Sequence, residues 1–218
     1  MKPAIPWLAI AGALLLLQAL QAATGDQMLY ERDPVINGEL WRLLTANFVH
    51  LNWTHTLANT AALVLLALLL PPMSVRSAVA ATLTVSLAVG LGLFWFNPGI
   101  AWYLGFSGVA HGLAAIALVL RVGTAPAMSL MLLGAMCLKL ALEDSGHFYL
   151  GDINVVTEAH LYGFVGGVVF GIVWLAAKWA RPNLAPGGQP RTANGSATGR
   201  DSTRARTHGT LQAKALLR

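Results

Sequence analysis

Charge is what this chain has least of: Asp, Glu, Lys and Arg make up 11% of 218 residues, against about 25% in an ordinary soluble domain. Together with 56% hydrophobic residues and a mean hydropathy of +0.62, that scarcity excludes a soluble globular protein and implies an integral membrane protein. Cysteine is nearly absent. Cys137 stands alone in an apolar run, so neither a disulfide framework nor a thiolate metal site can be assembled within one chain, and the residue reads as inert packing. No H-E-x-x-H occurs, which removes the usual zinc-hydrolase pattern. Glu158 and His160 are two apart and would face different ways on a helix. The net charge of +5 does not point to nucleic acid, because the charges sit in loops and a tail, where membrane topology accounts for them.

What the chain does have is long apolar runs. Six reach or approach the length needed to cross about 30 Å of hydrocarbon, at residues 5–23, 55–70, 77–96, 107–122, 125–142 and 158–180. The first shares a Lys2 n-region and small residues at Ala22 and Ala23 with signal peptides. It lacks a clean A-x-A and is read as a retained helix. The expected fold is therefore an all-α polytopic bundle of six transmembrane helices, with both termini in the cytoplasm. Lys2, Arg76, Arg121, Lys178 and Arg181 fall at the ends this topology assigns to the cytoplasm. The opposite ends carry Asp26, Glu31, Asp33, Glu39, Glu143, Asp144, Asp152 and Glu158, with Arg32, Arg42 and Lys139 as their basic company.

Between the first two runs, residues 24–54 are too long and too patterned for a plain connector. Val35, Ile36, Leu40, Trp41, Leu43, Leu44, Phe48 and Leu51 recur at roughly helical spacing, which predicts a helix lying in the membrane interface. A small exposed loop domain is the other reading. Residues 182–218 are rich in Gly, Ser, Thr and Arg without a sustained apolar period, the composition of a disordered basic tail facing the cytoplasm.

Four of the six histidines, His50, His55, His111 and His160, sit in or beside apolar runs at the outer side. Ionisable groups at membrane depth are costly and point to function, although each taken alone also reads as a hydrogen bond between helices. Ser107, between Gly105-Phe106 and Gly108 at the start of the fourth run, lies at a depth similar to His160 near the start of the sixth. Around His160, Ala159, Gly163, Gly167 and Gly171 place a small residue at every fourth position, and the Ser107 helix offers Gly108 and Gly112. Two such surfaces pack closely, which would bring the hydroxyl to the imidazole as nucleophile and general base. His55 and Asn59, four apart on one helical face, would join the Ser107 backbone N–H as donors to an oxyanion, or else serve as interhelical glue. Gly105 would loosen the turn ahead of Ser107. This chemistry calls for no cofactor and no metal. A transporter reading is weaker, since the polar residues cluster at the outer side rather than the midplane and the halves show no internal repeat.

Trp41-Arg42 in the first loop, His50, His55 and Asn59, Gly105-Phe106-Ser107-Gly108, and Ala159-His160 with Gly163 together resemble the rhomboid family of intramembrane serine proteases, over about residues 31–175. The resemblance implies that residues 1–181 form a rhomboid-like membrane domain. It also implies Ser107 as nucleophile, His160 as base and acid, and His55 and Asn59 as oxyanion donors. Trp41, Arg42 and His50 would then support the first loop, and the substrates would be membrane-anchored proteins cut near the outer face. Glu31-Arg32, Gly38-Glu39-Leu40-Trp41-Arg42 and Ser107-Gly108-Val109-Ala110-His111-Gly112 look like the rhombosortase subfamily. Its members are thought to process bacterial proteins bearing a C-terminal Gly-Gly sorting signal, which implies the inner membrane and a periplasmic active site. One departure stands out: His111 occupies the place, one turn after the serine, where many rhomboids carry a tyrosine. It could stack on the catalytic imidazole, donate a hydrogen bond or compete as a base. The resemblance also admits a non-catalytic, client-binding protein, but such proteins would be expected to lack the Ser or the His. Substrate access is expected to involve the fifth run and residues 143–156, where Asp144, Gly146, Gly151 and Asn154 suggest mobility.

Overall fold

The structure, a computed structural model, describes residues 4–144 and 156–180. The proposed tail, most of the expected access loop with Gly146, Gly151, Asp152 and Asn154, and Lys2 and Arg181 lie outside the described residues, as do the side chains of 22–26 and Asp144.

Apolar composition and local stop signals together set the helices. α1 spans Ile5–Met28, α4 Trp53–Leu69, α5 Val75–Phe96, α6 Ser107–Arg121, α7 Pro126–Asp144 and α8 Glu158–Trp179. Asn52 caps α4 by accepting the His55 N–H at 2.9 Å, and Ser74 caps α5 through the Ser77 N–H at 3.2 Å, each satisfying a donor that the first helical turn leaves free. Pro71-Pro72 ends α4 because neither residue can donate to the helix. Pro126 opens α7 at the one position where its missing N–H costs nothing. Among the described residues three helices, α5, α7 and α8, are long and apolar enough to cross a membrane, while Ile5–Gln21, Trp53–Leu69 and Ser107–Arg121 are shorter apolar stretches.

The segment expected to be one interfacial helix is broken up. α1 continues to Met28, β1 (Tyr30–Glu31) pairs antiparallel with β2 (Trp102–Tyr103), and only short helices follow, α2 (Arg32–Ile36) and α3 (Arg42–Thr45), with a 3-10 turn at Ala46–Phe48. Gly38 is the breaker: its φ of +105° lies in the left-handed region that glycine tolerates. Of the residues expected on one lipid-facing side, Ile36, Leu40, Trp41 and Leu51 are exposed but Val35 and Leu43 are buried. The apolar periodicity thus reports a loop folded down onto the bundle. α3 rests on α5 at Gly90, where a Cβ would lie 2.2 Å from the Leu43 carbonyl oxygen. The buried Arg42 guanidinium ties the loop together, meeting Glu39 Oε2 at 2.6 Å and Glu31 Oε2 at 3.2 Å and donating to the Leu29 carbonyl at 2.8 Å.

α6 is the centre of the bundle. Val109, Leu113, Ile116 and Ala117 are buried with Trp7 and Leu14 of α1, Leu63 of α4 and Val85 of α5. On its other side α6 runs against α8 with glycine facing glycine. A Cβ on Gly163 would lie 1.9 Å from the Gly108 oxygen, one on Gly167 2.1 Å from the Gly112 oxygen, and one on Gly112 2.5 Å from the Gly163 oxygen. No side chain separates the two backbones there, and dispersion and close packing replace the hydrophobic effect as the force between helices.

Candidate active site

The starts of α4, α6 and α8 and the end of α7 meet at one end of the bundle. Ser107 is the first residue of α6 and His160 lies in the first turn of α8. The glycine contact between those helices therefore sets the separation of their side chains. His160 Nε2 lies 3.0 Å from Ser107 Oγ, within reach for proton transfer. The imidazole is buried, at 5% exposure.

His111 stacks on His160, with ring centroids 4.1 Å apart and planes 18° from parallel. Its Nδ1 lies 2.8 Å from the Ser107 carbonyl oxygen. A carbonyl only accepts, so Nδ1 carries the proton. Of the three roles the sequence left open, the ring takes up stacking and donation to the backbone, and it is not hydrogen-bonded to the Ser107 hydroxyl. The i,i+4 geometry explains this, because a helical side chain leans back over the preceding turn.

The turn before Ser107 is held from several sides. Gly105 has φ +126°, and a Cβ there would lie 2.8 Å from His55 Cε1. Glycine is thus required both by the backbone and by the histidine ring beside it. The Gly105 N–H donates to the Ala46 carbonyl at 2.9 Å. The Tyr103 hydroxyl donates to the Gly105 carbonyl at 2.6 Å and also interacts with the Gly108 backbone. The Phe106 N–H donates to His50 Nε2 at 3.3 Å. His55 stands edge-on to His50 at 5.0 Å. Asn59 donates to the His55 carbonyl at 3.2 Å, within its own helix, so its amide is turned to the α4 backbone. Trp41 Nε1 donates to the Gln27 carbonyl at 3.1 Å, and Trp41 and Arg42 both tie the first loop to the end of α1.

His50 lies outside the apolar helices and is fully buried. Desolvation, reinforced by the neighbouring His55, lowers its pKa from 6.5 to about 4, so it is neutral and accepts the Phe106 N–H. As pH falls below 6.5 the unfolded chain takes a proton here that the folded chain refuses until about pH 4. The stabilisation is complete above the first value and lost progressively toward the second, about 3 kcal/mol in all. Thermal unfolding in detergent should show Tm falling across that window, and His50→Gln should remove much of the slope. An unchanged slope in the variant would contradict this assignment.

Two groups were not singled out from sequence as part of a site. Glu143, in the last turn of α7, places Oε2 3.0 Å from His160 Nδ1 and Oε1 2.5 Å from Lys139 Nζ. In sequence both residues read as topology charges. Their i,i+4 spacing was visible, but not the helix end they would meet. His111, Glu143 and His160 also present metal-ligand atoms within 4.8 Å of one another. The Lys139 ammonium bonded to Glu143 opposes a second cation there, and His111 Nδ1 and both His160 nitrogens already have partners. The arrangement suits proton handling better than metal binding.

The site thus sets a serine hydroxyl 3.0 Å from a buried imidazole, a pairing that acyl transfer can use. Among curated proteins none matches the chain. The sequence pattern of the Rhomboid domain matches residues 37–177, well over half of the chain and all of the segment that carries Ser107, His160 and the histidines around them. The chain therefore belongs to the rhomboid family, whose members are intramembrane serine proteases acting on membrane proteins.

Proposed function

We propose that the protein is a serine endopeptidase in which Ser107 is the nucleophile and His160 the general base and acid. The observation that carries this reading is the 3.0 Å separation of His160 Nε2 from Ser107 Oγ. Ser107 Oγ attacks the scissile carbonyl as His160 Nε2 takes its proton. The tetrahedral intermediate collapses as His160 returns that proton to the leaving amine, and water, activated by the same nitrogen, then releases the acyl group and regenerates the serine. The backbone N–H of Ser107, at a helix N-terminus, would stabilise the oxyanion together with side-chain donors from His55 and Asn59. Asn59 Nδ2 spends one N–H on the His55 carbonyl and keeps a second to donate.

The substrate we infer is a membrane-anchored protein, cut near the outer face of a bacterial inner membrane by a six-span enzyme with both termini in the cytoplasm. An apolar groove of about 380 Å³ between α4, α6 and α7, with His111 and Lys139 in its wall, supports access for an apolar segment from the side. The likeness of Glu31-Arg32 and Gly38 to Arg42 to rhombosortases favours substrates with a C-terminal Gly-Gly sorting signal. In the fold these residues brace the loop: Glu31 and Glu39 pair with Arg42, and Arg32 donates to the Phe94 carbonyl at 3.0 Å. Co-expression with a reporter ending in Gly-Gly, an apolar span and a basic tail, beside a general rhomboid reporter, tests the assignment. Preferential cleavage of the first is expected. Cleavage of the second alone would return the enzyme to general rhomboid proteolysis.

A further inference from the structure

We propose that Glu143 is a positioning residue of this reaction: its carboxylate holds the His160 imidazole in the tautomer and orientation that present Nε2 to Ser107, making a Ser107–His160–Glu143 unit. The inference rests on the serine-protease reading and extends it to a residue that reading does not need. An ionised carboxylate only accepts, so the 3.0 Å contact between Oε2 and Nδ1 assigns the proton to Nδ1 and leaves the lone pair on Nε2 facing the Ser107 hydroxyl at 3.0 Å. The same contact stabilises the imidazolium formed while the serine proton is in transit.

The carboxylate is placed for that role and not by accident of a mobile surface chain. Its side chain is only 9% exposed, and its second oxygen is taken by Lys139 at 2.5 Å one helical turn earlier. A buried carboxylate needs such a partner, since an unpaired charge at this depth is costly. The ammonium therefore keeps Glu143 ionised and fixes its rotamer, leaving Oε2 free for the histidine. His111 covers one face of the imidazole at 4.1 Å. The ring is thus held at one edge by Glu143 and on its face by His111, with the remaining nitrogen directed to the nucleophile. The acid arrives on α7, a different helix from either Ser107 or His160, so three elements have to meet for the unit to form.

Glu143→Gln and Glu143→Asp in the full-length, detergent-purified enzyme test this. For Glu143→Gln, kcat on a membrane-anchored reporter should fall roughly 10²- to 10⁴-fold with KM nearly unchanged, by comparison with acid replacements in serine proteases. Labelling of Ser107 by a fluorophosphonate probe should slow in parallel, and Glu143→Asp should recover part of both. Rates are referred to the folded fraction, from the thermal transition of each variant. Wild-type kcat and labelling in Glu143→Gln would overturn the proposal. So would a loss that appears only in KM or in Tm, or one that aspartate leaves unrelieved. Failure of the underlying reading looks different: the wild-type enzyme itself would not be labelled at Ser107.

Discussion

Ser107→Ala is expected to abolish cleavage of a membrane-anchored reporter, and His160→Ala to do the same, each by about 10⁴- to 10⁶-fold in kcat. The reason lies in the 3.0 Å pair. On the proposed mechanism no acyl-enzyme forms without Oγ, and without Nε2 the hydroxyl has no acceptor for its proton. Because the two act as one unit, the double variant should be no worse than either single one. Neither change should unfold the protein. Ser107 heads a helix already held by Gly105, Tyr103 and His50, and loss of the imidazole leaves Glu143 still paired with Lys139. Reporter cleavage, fluorophosphonate labelling and the thermal transition, measured on the same preparations, separate the two effects. Full activity in Ser107→Ala would sink the assignment, and so would a double variant far weaker than both singles.

The second large effect is expected far from any reacting atom. Gly163→Ala puts a Cβ 1.9 Å from the Gly108 oxygen, and a backbone carbonyl, unlike a side chain, cannot turn aside. α6 and α8 must separate. The cost should be about 2–4 kcal/mol of stability, at the upper end of overpacking effects, despite the better helix propensity of alanine. The same displacement carries His160 away from Ser107. Misplacement by about 1 Å typically costs on the order of 10²-fold in rate, so the folded fraction should also lose activity. Gly134→Ala is the control: it lies in α7 with nothing within 4 Å of its Cβ position, and the substitution should be neutral or slightly stabilising. Equal Tm and activity for Gly163→Ala and wild type would show that the glycine contact does not set the site.

Much of the architecture was legible because its causes are local. An apolar run advertises a buried or lipid-facing helix wherever it occurs, and Pro71-Pro72, Ser74 and Pro126 mark ends through their own backbone chemistry. The first loop was misread for the converse reason. Its apolar residues keep a helical rhythm, but Gly38 and the pairing of Tyr30–Glu31 with Trp102–Tyr103 impose turns that periodicity cannot register. That pairing joins segments some seventy residues apart, and no window of sequence contains both.

At the site the same division holds. Ser107 and His160 could be picked out as a candidate nucleophile and base, and the small residues at 108, 112, 163 and 167 as a close packing surface, because each of these needs particular side chains at particular intervals. The apolar helices and their order were determined in that way, while the family entered through the likeness of its motifs and the match over residues 37–177. Only the tertiary structure decided that His111 stacks on His160, that Asn59 bonds back to the α4 backbone and that Glu143 meets His160 Nδ1. Each depends on the azimuth and depth at which one helix end meets another. Those are set by how closely the α6 and α8 backbones approach at their glycines and by where α7 ends against them, quantities that belong to the packed bundle and to no single stretch of chain.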